Sequence, residues 1–229
     1  MIAPARLPVV IKRLERRYGR PQWQPRFSPV EELVFTILSQ NTTDTNAQRA
    51  LDSLRERFPR WQDVAGAGES SIAAAIRSGG LADAKARYIK GALAGILAGQ
   101  GDLSLGFLDR MSDREAIAYL TSFTGIGVKT ASCVLLFALG RPAFPVDTHV
   151  FRVAKRLDFL DARATRESAH RILGAVTPPA DVYSFHVNLV RHGRQVCKAA
   201  RPRCDDCVIE PLCPSSLATV PMGPFTPAT

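Results

Sequence analysis

The chain has 229 residues, of which 46% are hydrophobic, and its formal net charge is +9. This length suffices for one domain or two modest ones, and no apolar run is long enough to cross a membrane. Of the 30 basic residues 24 are arginines, which fits either a solvated surface or a polyanionic partner, because the guanidinium fork matches the geometry of phosphate.

The basic N-terminal segment lacks the long apolar stretch of a signal peptide, so we expect a cytoplasmic protein with reduced thiols.

Most of the sequence predicts helix. Apolar residues then recur at spacings of three and four over 30–38, 72–76 and 117–120. Segments rich in β-branched residues between turns are missing, and an all-α fold follows. Helix N-caps are predicted at these positions: Ser28, Thr43 or Asp44, Ser112 or Asp113, and Asp147.

A glycine turn separates two of the predicted helices. Residues 113–123 and 129–139 read as helices, with a tight turn over 124–128, which makes a helix–hairpin–helix. Of the two turn glycines, Gly125 and Gly127, one is expected to end a helix in the left-handed conformation and the other to let backbones pass closely. The N–H groups of the turn point outward at a helix start, where a phosphate can bind without sequence preference.

Lys129 occupies the first turn of the second hairpin helix. A cation is electrostatically unfavourable at a helix start, which favours the neutral amine, the form that attacks a carbon centre. Asp147 follows eighteen residues later and is predicted to cap the next helix. A carboxylate at this position could also stabilise a developing sugar cation or assist proton movement. His149, His186 and His192 are expected to be structural.

Four of the five cysteines lie in one basic loop, CKAARPRCDDCVIEPLC, with six, two and five residues between them. They are Cys197, Cys204, Cys207 and Cys213. This crowding favours a metal site. Zinc sites usually consist of two short knuckles with a long spacer, whereas the unequal spacing suits the four iron corners of a [4Fe–4S] cluster. Zinc and free or disulfide-bonded thiols remain alternatives, and Cys133 is expected in the core.

The combined motifs resemble the endonuclease III family of DNA repair glycosylases. The resemblance extends from about residue 28 to residue 213 and is carried by FTGIGVKTA (123–131), VDTHVFRV (146–153), HGRQVC (192–197) and the cysteine loop. It implies two helical lobes. A central domain with the hairpin would comprise residues 28–141, and a discontinuous cluster domain residues 1–27 and 142–216. Residues 217–229 are expected to form a disordered tail.

The resemblance also implies a reaction on duplex DNA. A damaged pyrimidine is flipped out of the stack, Lys129 attacks C1′ and forms an imine, and β-elimination cuts the strand on the 3′ side. Asp147 matches the family's catalytic carboxylate, and the four cysteines match its cluster ligands. The cluster would be structural and electrostatic. Arg201 falls at a basic phosphate contact of the family, and the hairpin residues Gly125, Gly127 and Val128 would also contact DNA.

Some positions depart from the family pattern. The loop 38–44 matches the one that fills the gap left by the flipped base, but Asn41 stands where the family commonly has Gln, with Gln40 one position earlier. Either residue could fill the gap. Leu81 matches an apolar wedge on the opposite side, although Ala82 and Asn188 replace residues that are often aromatic in bacterial relatives. These changes leave the lesion preference open.

The leading hypothesis is therefore a bifunctional glycosylase and abasic-site lyase that removes oxidised pyrimidines. A monofunctional relative acting on mismatched adenine or thymine is the nearest alternative, but such enzymes usually lack a lysine at position 129. A non-catalytic DNA-binding protein is a second alternative. The expected partner is double-stranded DNA with damaged pyrimidines or abasic sites. No membrane association is expected, and nothing in the sequence indicates an oligomer, so a monomer is expected.

Overall fold

The computed structural model describes residues 4–218, and the tail predicted over 217–229 lies almost entirely outside them. The described residues contain helices and turns but no β-strand, so the all-α prediction is confirmed. Their α-helices are α1 (Leu7–Tyr18), α2 (Pro29–Leu38), α3 (Asp44–Arg57), α4 (Trp61–Gly66), α5 (Glu69–Ala75), α6 (Ala82–Gln100), α7 (Asp113–Thr121), α8 (Val128–Cys133), α9 (Thr148–Arg156), α10 (Arg166–Val176) and α11 (Val182–Gln195).

The chain divides into two compact units. One comprises the residues up to Trp23 together with those from Pro142 onward, and the other comprises Gln24–Arg141. The second unit is thus inserted into the sequence of the first. It contains α2 to α8, whereas the first contains α1 and α9 to α11. None of the helices within residues 4–218 has the length and apolar character of a membrane span.

Local capping chemistry sets where several helices begin. The side chains of Ser28, Thr43 and Ser112 accept hydrogen bonds from backbone N–H groups three residues ahead, at the starts of α2, α3 and α7. Asp147 does the same for α9. Each bond satisfies one of the donors that a helix start leaves without a partner. The four predicted cap positions are confirmed.

The inserted unit is built around α2, which is buried along nearly its whole length. The second hairpin helix is not uniformly α-helical, because α8 continues as a π-helix over Val134–Ala138. Arg141 follows this π-helical segment and holds its end in place. The Arg141 guanidinium donates to the carbonyl oxygens of Leu108 and Met111, at 2.7 and 2.9 Å, and pairs with Asp113. The loop after the hairpin is thereby attached to the start of α7.

In the other unit, α1 packs on α11. The Glu15 carboxylate accepts a hydrogen bond from Ser184 at 2.9 Å, and the Asn188 amide donates to the carbonyl oxygen of Gly19 at 3.0 Å. Helices α9 and α11 approach closely at Gly193, where an added Cβ would lie 2.9 Å from the Cβ of His149. The chain therefore requires a residue without a side chain at this crossing.

Candidate functional site

The turn of the hairpin lies between α7 and α8 and depends on Gly125. Its φ is +82°, and an added Cβ would lie 2.2 Å from Cγ of Tyr88. Gly125 therefore supplies both the left-handed conformation and the close approach. The separate role expected for the second glycine is wrong, because Gly127 has a φ of −95° and no atom within 4 Å of its Cβ position. Gly127 is exposed and precedes α8 as its N-cap residue.

Lys129 is the second residue of α8 and is half-buried. One helical turn further on lies Cys133, which is buried as expected. Burial raises the pKa of the Cys133 thiol, and the positive charge of Lys129 acts in the opposite direction. Lys129 and the buried Cys133 thiol therefore lie close together.

A buried carboxylate, Glu32, belongs to the same environment. Glu32 is 0% exposed and accepts two hydrogen bonds from Arg26, at 2.7 and 3.2 Å, and one from Thr36 at 3.1 Å. Burial raises its pKa, which Arg26, Thr36 and Lys129 oppose. The Arg26 guanidinium also lies 4.4 Å from the ring centroid of Phe35. This pair was not predicted from the sequence, although the acidic residue within the apolar run of α2 could have indicated it.

Three loops of this unit carry all of the predicted DNA-contacting residues except Arg201. Gln40 donates through its side-chain amide to the carbonyl oxygen of Gly125 at 3.1 Å, so the loop after α2 is bonded to the hairpin turn. Asn41 and Leu81 are exposed, and both have a positive φ, of 53° and 50°. Leu81 is 61% exposed. This large apolar side chain is therefore not packed in the protein core and is available for contact with a partner.

Asp147 lies in the other unit, as the N-cap residue of α9. Its Oδ1 accepts a hydrogen bond from the backbone N–H of Val150 at 2.7 Å, and the side chain is half-buried. One carboxylate oxygen is thus held by the helix start. His149 is bonded to the Arg152 guanidinium at 3.1 Å, which agrees with a structural role.

The four loop cysteines, Cys197, Cys204, Cys207 and Cys213, line a single pocket. The Arg156 guanidinium, at the end of α9, donates to Sγ of Cys197 at 3.3 Å and to the carbonyl oxygen of Lys198 at 2.7 Å. Helix α9 therefore carries Asp147 at its start and holds the cysteine loop at its end.

The donor set of the pocket fits a [4Fe–4S] cluster. Four thiols line one pocket, with the Arg156 guanidinium beside Cys197, and four cysteine thiolates are the usual ligand set of such a cluster. In the part of the chain that the structure describes, no three His, Cys, Asp or Glu side chains are placed to hold a single metal ion. Burial raises the pKa of the Cys207 thiol to about 12, so its thiolate form needs a compensating positive charge.

His192 also reaches this pocket, which the sequence did not indicate. It is buried, with Nδ1 3.0 Å from the Tyr18 hydroxyl and Nε2 3.5 Å from Sγ of Cys207. Burial lowers its pKa to about 4. His186 is buried too and contacts the carbonyl oxygen of Pro145 at 2.9 Å, as a packing residue. Arg201 is exposed on the cysteine loop.

Comparison with known proteins identifies the family. Residues 34–179 match the HhH-GPD superfamily of base excision DNA repair proteins. The chain is 37% identical over 184 residues to endonuclease III of Sulfolobus acidocaldarius, with 79% of each chain covered. It is 31% identical over 206 residues to endonuclease III of Escherichia coli, covering 89% of this chain and 92% of that protein. A glycosylase-like protein of Arabidopsis thaliana is 41% identical over 189 residues, and this chain spans 64% of its length.

Solved structures agree with the sequence matches. A non-covalent endonuclease III–DNA complex is similar with a TM-score of 0.80 at 27% identity, covering 94% of this chain and 97% of that chain. A trapped covalent endonuclease III–DNA intermediate gives a TM-score of 0.78 at 26% identity, with the same coverage. The resemblance seen in the sequence is confirmed: the chain belongs to the endonuclease III family of base excision repair DNA glycosylases.

Proposed function

We propose that this protein is a bifunctional DNA glycosylase and abasic-site lyase that removes oxidised pyrimidines, such as thymine glycol, from duplex DNA. The observation that carries the proposal is the position of Lys129. Lys129 is half-buried and lies at the second residue of a hairpin helix, behind the exposed Gly127 at a helix start that suits phosphate. The endonuclease III–DNA structures to which the chain is similar support DNA as the partner.

The reaction follows from an amine nucleophile and a carboxylate. With the damaged nucleotide flipped out, neutral Lys129 forms a bond to C1′, the bond from C1′ to the base breaks, and the base leaves with a proton. The ring then opens to an imine, a proton is removed from C2′, and the 3′ C–O bond breaks. Asp147 would stabilise the positive charge that develops on the sugar. The buried Cys133 lies one helical turn after Lys129 on the same face of α8.

The DNA-binding surface would combine the hairpin with the two loops beside it. The backbone N–H groups of Gly125, Gly127 and Val128 would bind the phosphate backbone without reading sequence. Asn41 is the better candidate for filling the vacated position in the duplex, because the amide of Gln40 is already bonded to Gly125. The exposed side chain of Leu81 would act as the wedge on the opposite strand.

The four cysteines would hold a [4Fe–4S] cluster. When bound, the cluster supplies compensating charge and rigidity to the basic loop that carries Arg201, and it takes no part in the chemistry on the sugar. Purified protein is expected to be yellow-brown, with iron and labile sulfide in equal amounts. A colourless protein that contains zinc would contradict this assignment.

Borohydride trapping tests the proposed reaction. Incubation with thymine-glycol duplex and borohydride should give a covalent adduct, and Lys129→Ala should abolish it while the variant still binds the duplex. Asp147→Asn keeps an oxygen for the helix cap, so it should remain folded and lose most base release. An undiminished adduct in Lys129→Ala would refute the assignment of the nucleophile.

A panel of duplexes, each with one lesion, separates the alternatives. Base release without strand cleavage would indicate a monofunctional glycosylase. Salt-dependent binding of undamaged duplex, with no release from any lesion and no cleavage at an abasic site, would indicate a non-catalytic protein. Equilibrium sedimentation of the protein with and without DNA tests the expected monomer.

A further inference from the structure

Lys85 is a buried cation that the proposed reaction does not use. It lies in the first turn of α6 and is 1% exposed. Burial lowers its pKa, and no carboxylate within residues 4–218 forms an ion pair with it. Burying an ammonium without an opposite charge is costly, and an apolar side chain of the same length would fill the space more cheaply. The lysine therefore requires an explanation beyond packing.

Its partners are two backbone carbonyl groups from different parts of the chain. Nζ of Lys85 donates to the oxygen of Leu38 and to the oxygen of Gly79, both at 2.7 Å. Leu38 is the last residue of α2, where carbonyl groups lack partners within the helix and the helix dipole is negative. Hydrogen bonds from a charged donor are about twice as strong as neutral ones. One ammonium thus joins the end of α2 to the turn before α6.

Each of these carbonyl groups lies where a loop begins, and each loop has an exposed residue at its tip. The chain runs three residues from Leu38 to Asn41 and two residues from Gly79 to Leu81, and both tips have a left-handed backbone. Asparagine tolerates this conformation, but it is unfavourable for a leucine and persists at Leu81 only where neighbouring structure holds it. Fixing the carbonyl groups of Leu38 and Gly79, where the two loops begin, restricts the positions that Asn41 and Leu81 can take.

We propose that Lys85 is a positioning residue that sets the spacing between Asn41 and Leu81, so that both side chains enter the duplex together at the position of the flipped nucleotide. The inference rests on the proposed DNA contacts of these two residues. The bond from Gln40 to Gly125 attaches the same loop to the hairpin. Three DNA-facing loops of the inserted unit are thereby tied together by two buried or half-buried side chains.

Lys85→Met tests the proposal, and the same helix offers a matched control. Lys90 also lies in α6 and donates to a single backbone carbonyl, that of Ala67 at 2.8 Å, far in sequence from the loops. Lys90→Met therefore removes an ammonium–carbonyl bond from the same helix without affecting the two loops. The probe is a duplex with a tetrahydrofuran abasic analogue opposite 2-aminopurine, whose fluorescence rises when inserted side chains unstack it. This readout requires no base release.

The wild-type protein and Lys90→Met should give the same rise in fluorescence, and Lys85→Met should reduce it at least fivefold. In Lys85→Met, the ratio of the affinity for the abasic duplex to the affinity for undamaged duplex should fall at least tenfold, with little change in the affinity for undamaged DNA. The double variant Asn41→Ala/Leu81→Ala should show the same losses, and adding Lys85→Met to it should cause no further loss. Circular dichroism establishes folding, and Lys85→Gln, which keeps one donor group, replaces Lys85→Met if the latter unfolds.

A wild-type fluorescence response in Lys85→Met would overturn the proposal, and so would an equal loss of affinity for damaged and undamaged duplex. The absence of any response in the wild-type protein would overturn it as well. Failure of the proposed function has a different signature, namely a normal response in the wild-type protein without borohydride adduct or base release. The two claims can therefore fail separately.

Discussion

Replacing Gly125 by alanine tests the geometry of the hairpin turn most directly. Its φ of +82° costs a non-glycine residue about 1 kcal/mol. The new Cβ would lie 2.2 Å from the ring of Tyr88, and moving a packed ring costs about 1–3 kcal/mol. Gly125→Ala is therefore expected to lower the free energy of unfolding by about 2–4 kcal/mol, which corresponds to a Tm lowered by about 4–16 °C for a chain of this size.

Urea unfolding followed by circular dichroism measures this loss. Gly127→Ala is the control, because that residue has a negative φ and open space around its Cβ position, and its stability should change by less than about 0.5 kcal/mol. Combining Gly125→Ala with Tyr88→Ala should show a favourable coupling of about 1–2 kcal/mol, since the clash is then absent. Equal stability of the two alanine variants, or no coupling to Tyr88, would refute the reasoning.

Three further outcomes are expected. Arg26→Met should destabilise the protein by about 3 kcal/mol, because Glu32 is left buried without its cation; the deficit should shrink as the pH falls and Glu32 takes up a proton, which urea unfolding at several pH values can check. Gln40→Ala loses one hydrogen bond to Gly125 and should weaken binding of lesion duplex by about 1 kcal/mol, or fivefold by fluorescence anisotropy. Cys207→Ser should reduce bound iron per chain and the brown colour, and normal iron content would contradict the ligand assignment.

Features that depend on short-range chemistry could be predicted from the sequence. The caps at Ser28 and Asp147 are local, since side chain and backbone N–H lie three residues apart. The all-α class and the hairpin followed from apolar periodicity and glycine position. The family could be recognised because its motifs combine unusual residue types at fixed spacings.

Features that depend on tertiary packing could not be predicted. Gly127 resembles Gly125 in the sequence, and only the folded backbone angles and the position of Tyr88 show which glycine the fold requires. The buried polar side chains Glu32 and Lys85 have partners that are close in space and in part distant in sequence. The π-helical segment after Cys133 has no signature in the apolar pattern either.

The insertion of residues 24–141 into the sequence of the other unit sets an order on biosynthesis. Helix α1 buries Leu7, Val10, Ile11 and Leu14, yet its partner helix α11 leaves the ribosome only after roughly 160 more residues, which takes on the order of 10 to 30 seconds in translation. The inserted unit is complete well before then. The apolar face of α1 therefore stays exposed on the nascent chain until α11 has been synthesised. Chaperones that recognise exposed amphipathic segments can bind α1 during this interval.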